Sequence, residues 1–353
     1  MIRLRKKATD MPPQERRYIA AAVQAAPVFF DLSATVDKAV DLIGEAARNG
    51  ARLIAFPETW IPGYPAHIYG SAAWDDRESK EVHRQLMENS ITIPSPELDR
   101  LCAAARRHRA MVVIGVNERD TTFSHGTVYN SMLFISDTGS LLGVHRKLVP
   151  THAERIIWGA GDGSDLRVFP TDLGRIGGLV CWEHWMPLAR FAMHAKGEQV
   201  HIACWPEVPD IHHLASRHYA FEGRCFVICV GSFMTMSHVP DDFSRREALR
   251  AAGDFGGDPD TILPGGSGIV GPDGQWVVGP VAGNEAIVYG QIDLDRVAEE
   301  QLALDAVGHY NRPDVFHLTV DDRARMPLKW RSEESSSLAD VPNGSIGGQP
   351  LNP

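Results

Sequence analysis

Apolar runs and helically spaced apolar residues alternate along most of this 353-residue chain. "YIAAAVQAAP" (18–27) reads as a short buried strand. From Ser33 the pattern changes, and Val36, Val40, Ile43 and Ala47 recur at the spacings of three and four that put them on one helix face. Asn49-Gly50 ends that helix, and "ARLIAFPE" (51–58) predicts a second buried strand, so the chain opens as a β-α-β unit with a parallel pair. A further helix starts at Ser95 as N-cap, with Pro96 at the first helical position, and runs through Leu98, Leu101, Cys102 and Ala105. "MVVIGVNE" (111–118) is the next strand.

Hairpins then interrupt the alternation. "TVYNSMLFIS" and "SLLGVHRKLVP" flank a turn at Asp137-Thr138-Gly139, and "LRVFPT" and "RIGGLVC" flank Asp172-Leu173-Gly174. A helix (186–196), a strand (200–207), a helix (about 212–223) and a strand (225–233) follow, before a last hairpin turning at Pro272-Asp273-Gly274. Strands mixed with helices and hairpins predict an α/β chain with mixed sheets, and two such sheets covered by helices suit the length. No linker divides 18–320, which predicts one domain there. Residues 236–263 read as an inserted surface loop, helical around 245–252. The basic segment 1–17 and the Gly/Ser/Pro-rich tail within 321–353 predict disorder.

Charge narrows the partners. The formal net charge is −10, yet residues 1–17 carry six Lys/Arg against Asp10 and Glu15, so the remainder is near −14. That balance argues against nucleic acid or an anionic membrane as partner. No secretory signal and no membrane-length apolar run is present in the sequence. The five cysteines (102, 181, 204, 225, 229) sit mostly in apolar runs, which predicts reduced thiols and a cytoplasmic protein; none is spaced for zinc.

Three reactive side chains share one context. Glu58 follows the strand "LIAF" after Pro57, Lys147 ends "LLGVHRK", and Cys181 ends "IGGLV" in the stretch "GGLVCWEHWMP". Ends of buried strands face clefts where α/β proteins bind ligands. Taken singly, Glu58 reads equally as a cap, Lys147 as a solvated strand end and Cys181 as a small buried hydrophobe. Their coincidence favours chemistry: a carboxylate base and an ammonium beside a thiol can together produce a nucleophile. Burial and the cation push the base's pKa in opposite directions, and the sequence leaves that balance open.

The chain resembles the nitrilase superfamily of carbon–nitrogen hydrolases over roughly residues 18–318. The resemblance rests on "AFPETWIPGYP" (55–65), "HRKLVPTHAER" (145–155) and "CWEHWMPLAR" (181–190), in that order, with "GHYNRPDVF" (308–316) resembling the nitrilase branch. It implies a four-layer α-β-β-α sandwich, a Glu58–Lys147–Cys181 triad, a second glutamate at Glu154, no cofactor or metal, and homo-oligomers that stack into spirals. Trp-Glu after the cysteine favours nitrilases over amidases. The implied reaction takes a small-molecule nitrile to its acid and ammonia through a thioimidate and thioester on Cys181. Glu58 is then the base, and Lys147 steadies the intermediates.

For an apolar nitrile, aromatic walls are expected from Trp60, Tyr64, Trp182, His184 and Trp205, each of which also reads as core. Glu154 reads equally as holding Lys147 or pairing Arg155, His184 as a neighbour of the site rather than its base, and His212-His213 with His218 as a polar helix face. Two alternatives stay open: an amidase or a nitrile-to-amide or cyanide-converting enzyme on the same scaffold, and a catalytically idle binding protein.

Overall fold

The computed structural model describes residues 16–69, 75–252, 258, 260–325 and 328. Strand β1 (Arg17–Gln24), helix α1 (Leu32–Arg48) and β2 (Ala51–Ala55) form the opening unit, with β1 and β2 parallel. The Asp31 carboxylate accepts the Ala34 N–H to cap α1, and the chain leaves through Asn49 and Gly50, the latter at φ +89° where glycine is unstrained. Helices α2 (Arg77–Glu88) and α3 (Pro96–His108) precede β3 (Met111–Arg119), and Ser95 caps α3 as the spacing predicts. The hairpin β4 (Val128–Ile135) and β5 (Leu141–Arg146) follows, then the short β6 (Trp158–Gly159).

The second half runs β7 (Phe169–Thr171), β8 (Gly174–Val180), α4 (Pro187–Ala195), β9 (Val200–Cys204), α5 (Asp210–Gly223) and β10 (Phe226–Val230). It ends with β11 (Phe233–Thr235), α6 (Arg246–Ala252), β12 (Thr261–Val270), β13 (Trp276–Ala282), β14 (Ala286–Asp293) and α7 (Leu294–Glu300). Two seven-stranded sheets result. One is ordered β14-β1-β2-β3-β4-β5 with β6 beside β4; the other is β11-β12-β10-β9-β8-β7 with β13 beside β12.

Strand periodicity explains the layers. Ala20, Ala22, Leu53, Ala55, Met111 and Val113 point between the sheets, against Ile176, Val180 and Ile202. Their alternates Ala21, Val23, Ile54, Val112 and Ile114 pack on Val36 and Ile43 of α1 and Leu98 and Leu101 of α3. Helices α4 and α5 cover the second sheet through Met193, Ala215 and Tyr219. Because both faces of the central strands are covered, they read as continuous apolar runs, and the fold is the expected α-β-β-α sandwich. Gly115 on β3 lets the loop carrying Glu58 lie directly on the sheet: a Cβ there would stand 2.1 Å from the Pro57 carbonyl oxygen and 2.8 Å from Glu58 Cα.

The structure departs from the sequence reading in three places. β9 stops at Cys204 instead of running to 207, because Pro206 has no N–H to continue the ladder. The described residues within 236–263 do not form only a surface loop. Met236, Val239, Phe243 and Leu249 are buried with Phe29, Tyr64, Val128 and Trp158 in a third apolar cluster. The sequence pattern marks neither helix α2 nor strand β14: α2 buries only Val82 and Leu86, too thin a stripe to stand out, while β14 is fixed by pairing along all of β1, from Arg17↔Asp293 to Gln24↔Ala286. Disorder is expected for 1–17 and 321–353; Arg17 instead opens β1, and residues 1–15, 326–327 and 329–353 fall outside the described residues. Among the described residues no helix is long and apolar enough to cross a membrane.

Candidate active site

The ends of three strands converge. β2 leads through Phe56-Pro57 to Glu58, β5 runs straight into Lys147, and β8 runs straight into Cys181 from the other sheet. The Glu58 N–H donates to the Trp205 carbonyl (3.0 Å), joining the end of β2 to the end of β9. Glu58, Lys147, Glu154 and Cys181 are all buried. The Lys147 ammonium donates to Glu58 Oε1 (2.9 Å) and to Glu154 Oε2 (2.7 Å). One of its three protons is left for a substrate. Asn130 Nδ2 donates to the same Glu58 oxygen (2.6 Å), whereas Glu58 Oε2 is buried with no hydrogen-bond partner. Carboxylate oxygens of Glu58 and Glu154 and the Cys181 sulfur all lie within 4.8 Å of one another. That donor set already encloses a cation, the Lys147 ammonium, between its two carboxylates.

Glu154 is fixed from three sides: by Lys147, by the Thr151 N–H (2.6 Å) and by the Tyr64 hydroxyl (2.7 Å). Arg155 instead donates to the Pro150 carbonyl, so the Glu154–Arg155 pairing allowed by the sequence does not form. Cys181 adopts φ +54°, Thr59 φ +43° and His152 φ +48°. For a non-glycine residue this left-handed backbone costs about 1–2 kcal/mol, and here it occurs at or beside three of the site's side chains.

Burial decides the protonation states. It pushes the Glu58 carboxyl up to about 7, the pull of Lys147 notwithstanding, with Glu154 adding to the rise. The balance left open by the sequence therefore falls on the side of a working base. Burial, and then the Glu58 charge, holds the Cys181 thiol well above the usual range although Lys147 draws it down. The thiol is therefore not a preformed thiolate and must lose its proton as it attacks. Burial opposes the charge on Lys147, but the Glu58 and Glu154 carboxylates outweigh it and keep the ammonium protonated. With Glu58 as base, kcat/KM is expected to fall about tenfold per pH unit below about pH 7, and a pH–rate profile flat from pH 5 to 8 would remove Glu58 from that role.

The expected pocket residues separate. Tyr64 touches the site through Glu154, and its hydroxyl also meets that of Tyr69 (2.8 Å). Trp182 is 52 % exposed beside the thiol, its indole N–H donating to His212 Nε2 (3.2 Å). Trp60, His184 and Trp205 are packed inside rather than lining an open wall. Trp60 packs on Phe56 with its N–H on the Ala25 carbonyl, and Trp205 stacks between His184 and His212 with its N–H on Ser216. Their polar atoms are already satisfied by the protein. His212 is likewise buried and not on a solvated helix face.

Three residues escaped the sequence reading. Asn130 holds Glu58, and its signal was a polar side chain inside the apolar strand β4. Glu183 accepts the Leu148 N–H (2.7 Å) on one oxygen, and on the other the Val180 N–H (2.7 Å) and His145 Nε2 (2.8 Å). It thus ties the residue after Lys147 to the residue before Cys181. Glu207, in the loop after β9, is buried, and burial, then Glu58 and Glu154, raise its carboxyl to about 8.

The family model described as carbon-nitrogen hydrolase matches residues 19–300. This chain belongs to the carbon–nitrogen hydrolase family. An aliphatic nitrilase from Rhodococcus rhodochrous is 42% identical over 87% of the chain and 84% of its own length. A bifunctional nitrilase/nitrile hydratase from Nicotiana tabacum is 40% identical over 90% of each. These relatives put this hydrolase in the nitrilase branch. Among solved structures, the carbon–nitrogen hydrolase of Helicobacter pylori superposes with a TM-score of 0.65 at 19% identity, covering 86% of this chain and 97% of that one, which speaks for the fold alone.

Proposed function

We propose that this hydrolase is a nitrilase that converts an organic nitrile and two waters into a carboxylic acid and ammonia. The observation that carries the reading is a buried thiol close to a carboxylate whose one oxygen is held by Lys147 and Asn130 while the other has no partner. Relatives named as nitrilases support the choice of nitrile.

The steps follow from the positions. Glu58 takes the Cys181 proton as the sulfur attacks the nitrile carbon. Lys147 faces the charge that builds on nitrogen, and that nitrogen gains the proton, giving a thioimidate. Donors aimed at such developing charge are worth about 100-fold or more in rate. Water, with Glu58 again as base and Glu154 holding Lys147 in place, adds to the same carbon. Expulsion of ammonia then leaves a thioester, and a second water releases the acid and restores the thiol. If the tetrahedral intermediate loses the thiol instead of ammonia, the product is an amide, an outcome that relatives named as bifunctional keep open. Five unpaired thiols support a reducing, cytoplasmic setting.

The test is quantification of acid, amide and ammonia from aliphatic, aromatic and arylacetonitriles and from the matching amides. Acid and ammonia in equal amounts from at least one nitrile is the expected result. Turnover of amides alone would make the protein an amidase, and amide as the main product would make it a hydratase.

A further inference from the structure

Behind Cys181 a chain of buried groups runs away from the substrate side. His184 Nδ1 lies 2.6 Å from the Cys181 carbonyl oxygen, and His184 Nε2 lies 2.9 Å from His201 Nε2. His201 Nδ1 lies 2.8 Å from Glu198 Oε1, and the Tyr219 hydroxyl donates to Glu198 Oε2 (2.7 Å). Glu198, His201 and His184 are all buried.

The proton count of this chain is fixed by its geometry. A carbonyl oxygen only accepts, so His184 Nδ1 carries hydrogen. Three contacts then link the Cys181 carbonyl, His184, His201 and Glu198, and each needs one proton. Two neutral imidazoles supply two. The third must be an extra proton held by one of the three side chains. On Glu198 it makes every group neutral: the acid donates to His201 Nδ1, His201 Nε2–H donates to His184 Nε2, and His184 Nδ1–H donates to Cys181. On His201 it would create a buried imidazolium against the Glu198 carboxylate, and on His184 a buried imidazolium separated from that carboxylate by the His201 ring.

We propose that Glu198, His201 and His184 form a neutral relay with the extra proton on Glu198, and that this relay positions Cys181 by holding its carbonyl in the left-handed turn that aims the thiol at Glu58 and Lys147. The role is one of positioning, since none of the three touches substrate, and its catalytic consequence rests on the nitrilase reading above.

The surroundings agree. Burial raises the Glu198 carboxyl to about 8, against the pull of Tyr219 and His194. Burial also holds His184 and His201 well below the usual histidine range, helped for His184 by His201 and His212 and for His201 by His194 and His145. The titratable groups that face Glu198 are His201 of its own strand region, Tyr219 from α5, His194 from α4 and the Cys225 thiol ahead of β10. His194 in turn meets Glu222, itself paired with Arg190. Loss of the relay proton leaves two protons for three contacts, so one contact must fail.

Contrast with His145 shows that the surroundings decide the charge. Its Nδ1 faces the Asp165 carbonyl and its Nε2 the Glu183 carboxylate, so both nitrogens donate and that ring is an imidazolium.

Glu198→Gln tests the relay. Its amide N–H can donate to His201 and its carbonyl can accept from Tyr219, and it cannot lose a proton. The variant is expected to keep kcat within about threefold of wild type near pH 7. Wild type should lose about tenfold, the worth of one hydrogen bond, as pH rises through about 8, and the variant should not. A well-folded Glu198→Gln protein that loses more than about 100-fold would show that the carboxylate charge is required, and an unchanged alkaline limb would take the proton off Glu198. Nitrogen-15 NMR of histidine-labelled wild type reads the relay without any substrate: His184 protonated only on Nδ1 and His201 only on Nε2 is expected near pH 7. An imidazolium at either position overturns the proposal even if no nitrile is ever turned over.

Discussion

Cys181→Ala is expected to lower nitrile turnover by at least roughly 10,000-fold while leaving the fold intact. The sulfur is the only atom at the site placed to form the covalent intermediate, and no group among the described residues substitutes for it. Glu58 and Glu154 are weaker nucleophiles, and both are engaged by Lys147. His184 cannot take over, because its two ring nitrogens are held by the Cys181 carbonyl and by His201. Stability should change little, since the removed thiol makes no hydrogen bond among the described residues and leaves only a small void. The measurement is ammonia release under saturating nitrile, with a thermal melt on the same sample. Residual activity above about 1% of wild type in folded protein would mean that the covalent route is not the main one.

Glu183→Ala should be the most destabilising single change near the site. The carboxylate is buried, accepts two backbone N–H groups and faces the His145 imidazolium. Burial tends to raise Glu183, but His145 and the hydrogen bonds win and lower it; burial tends to lower His145, but Glu183 wins and raises it. Removing one partner of such a buried pair typically costs about 3–5 kcal/mol, because the other charge is left uncompensated. The His145 part of this stabilisation is fully present below the ordinary histidine value and fades as pH rises through the raised one; the Glu183 part is lost as pH falls through its lowered one. Chemical denaturation of wild type and variant near pH 6 measures the loss, and a change below about 1 kcal/mol would show that the Val180–Leu148 tie is dispensable.

Glu58, Lys147 and Cys181 were legible because each stands at the end of an apolar run, and a strand end is visible in sequence. The layers were legible for the same reason: both faces of β2, β3 and β8 are covered, so their residues are nearly all apolar. Asn130, Glu183 and Glu207 were not legible, since their importance lies in partners far along the chain. Nothing local to Glu183 reveals that its two oxygens also reach Leu148 and His145. The aromatic residues misled in the opposite way. Trp60 and Trp205 lie near the motifs in sequence, but a large side chain whose N–H finds an internal acceptor is drawn into the core. The buried stretch of 236–249 was hidden by its Pro, Asp and Arg content, although its apolar residues are the ones that pack.

Glu58 and Glu154 share a single ammonium, and Glu207 lies near enough for both to raise its pKa. A nitrile is uncharged and enters such a chamber without electrostatic opposition. The carboxylate that it becomes bears the same sign as the chamber's own ionised acids. To the extent that those acids are ionised they weaken product binding relative to substrate binding, which favours release over product inhibition.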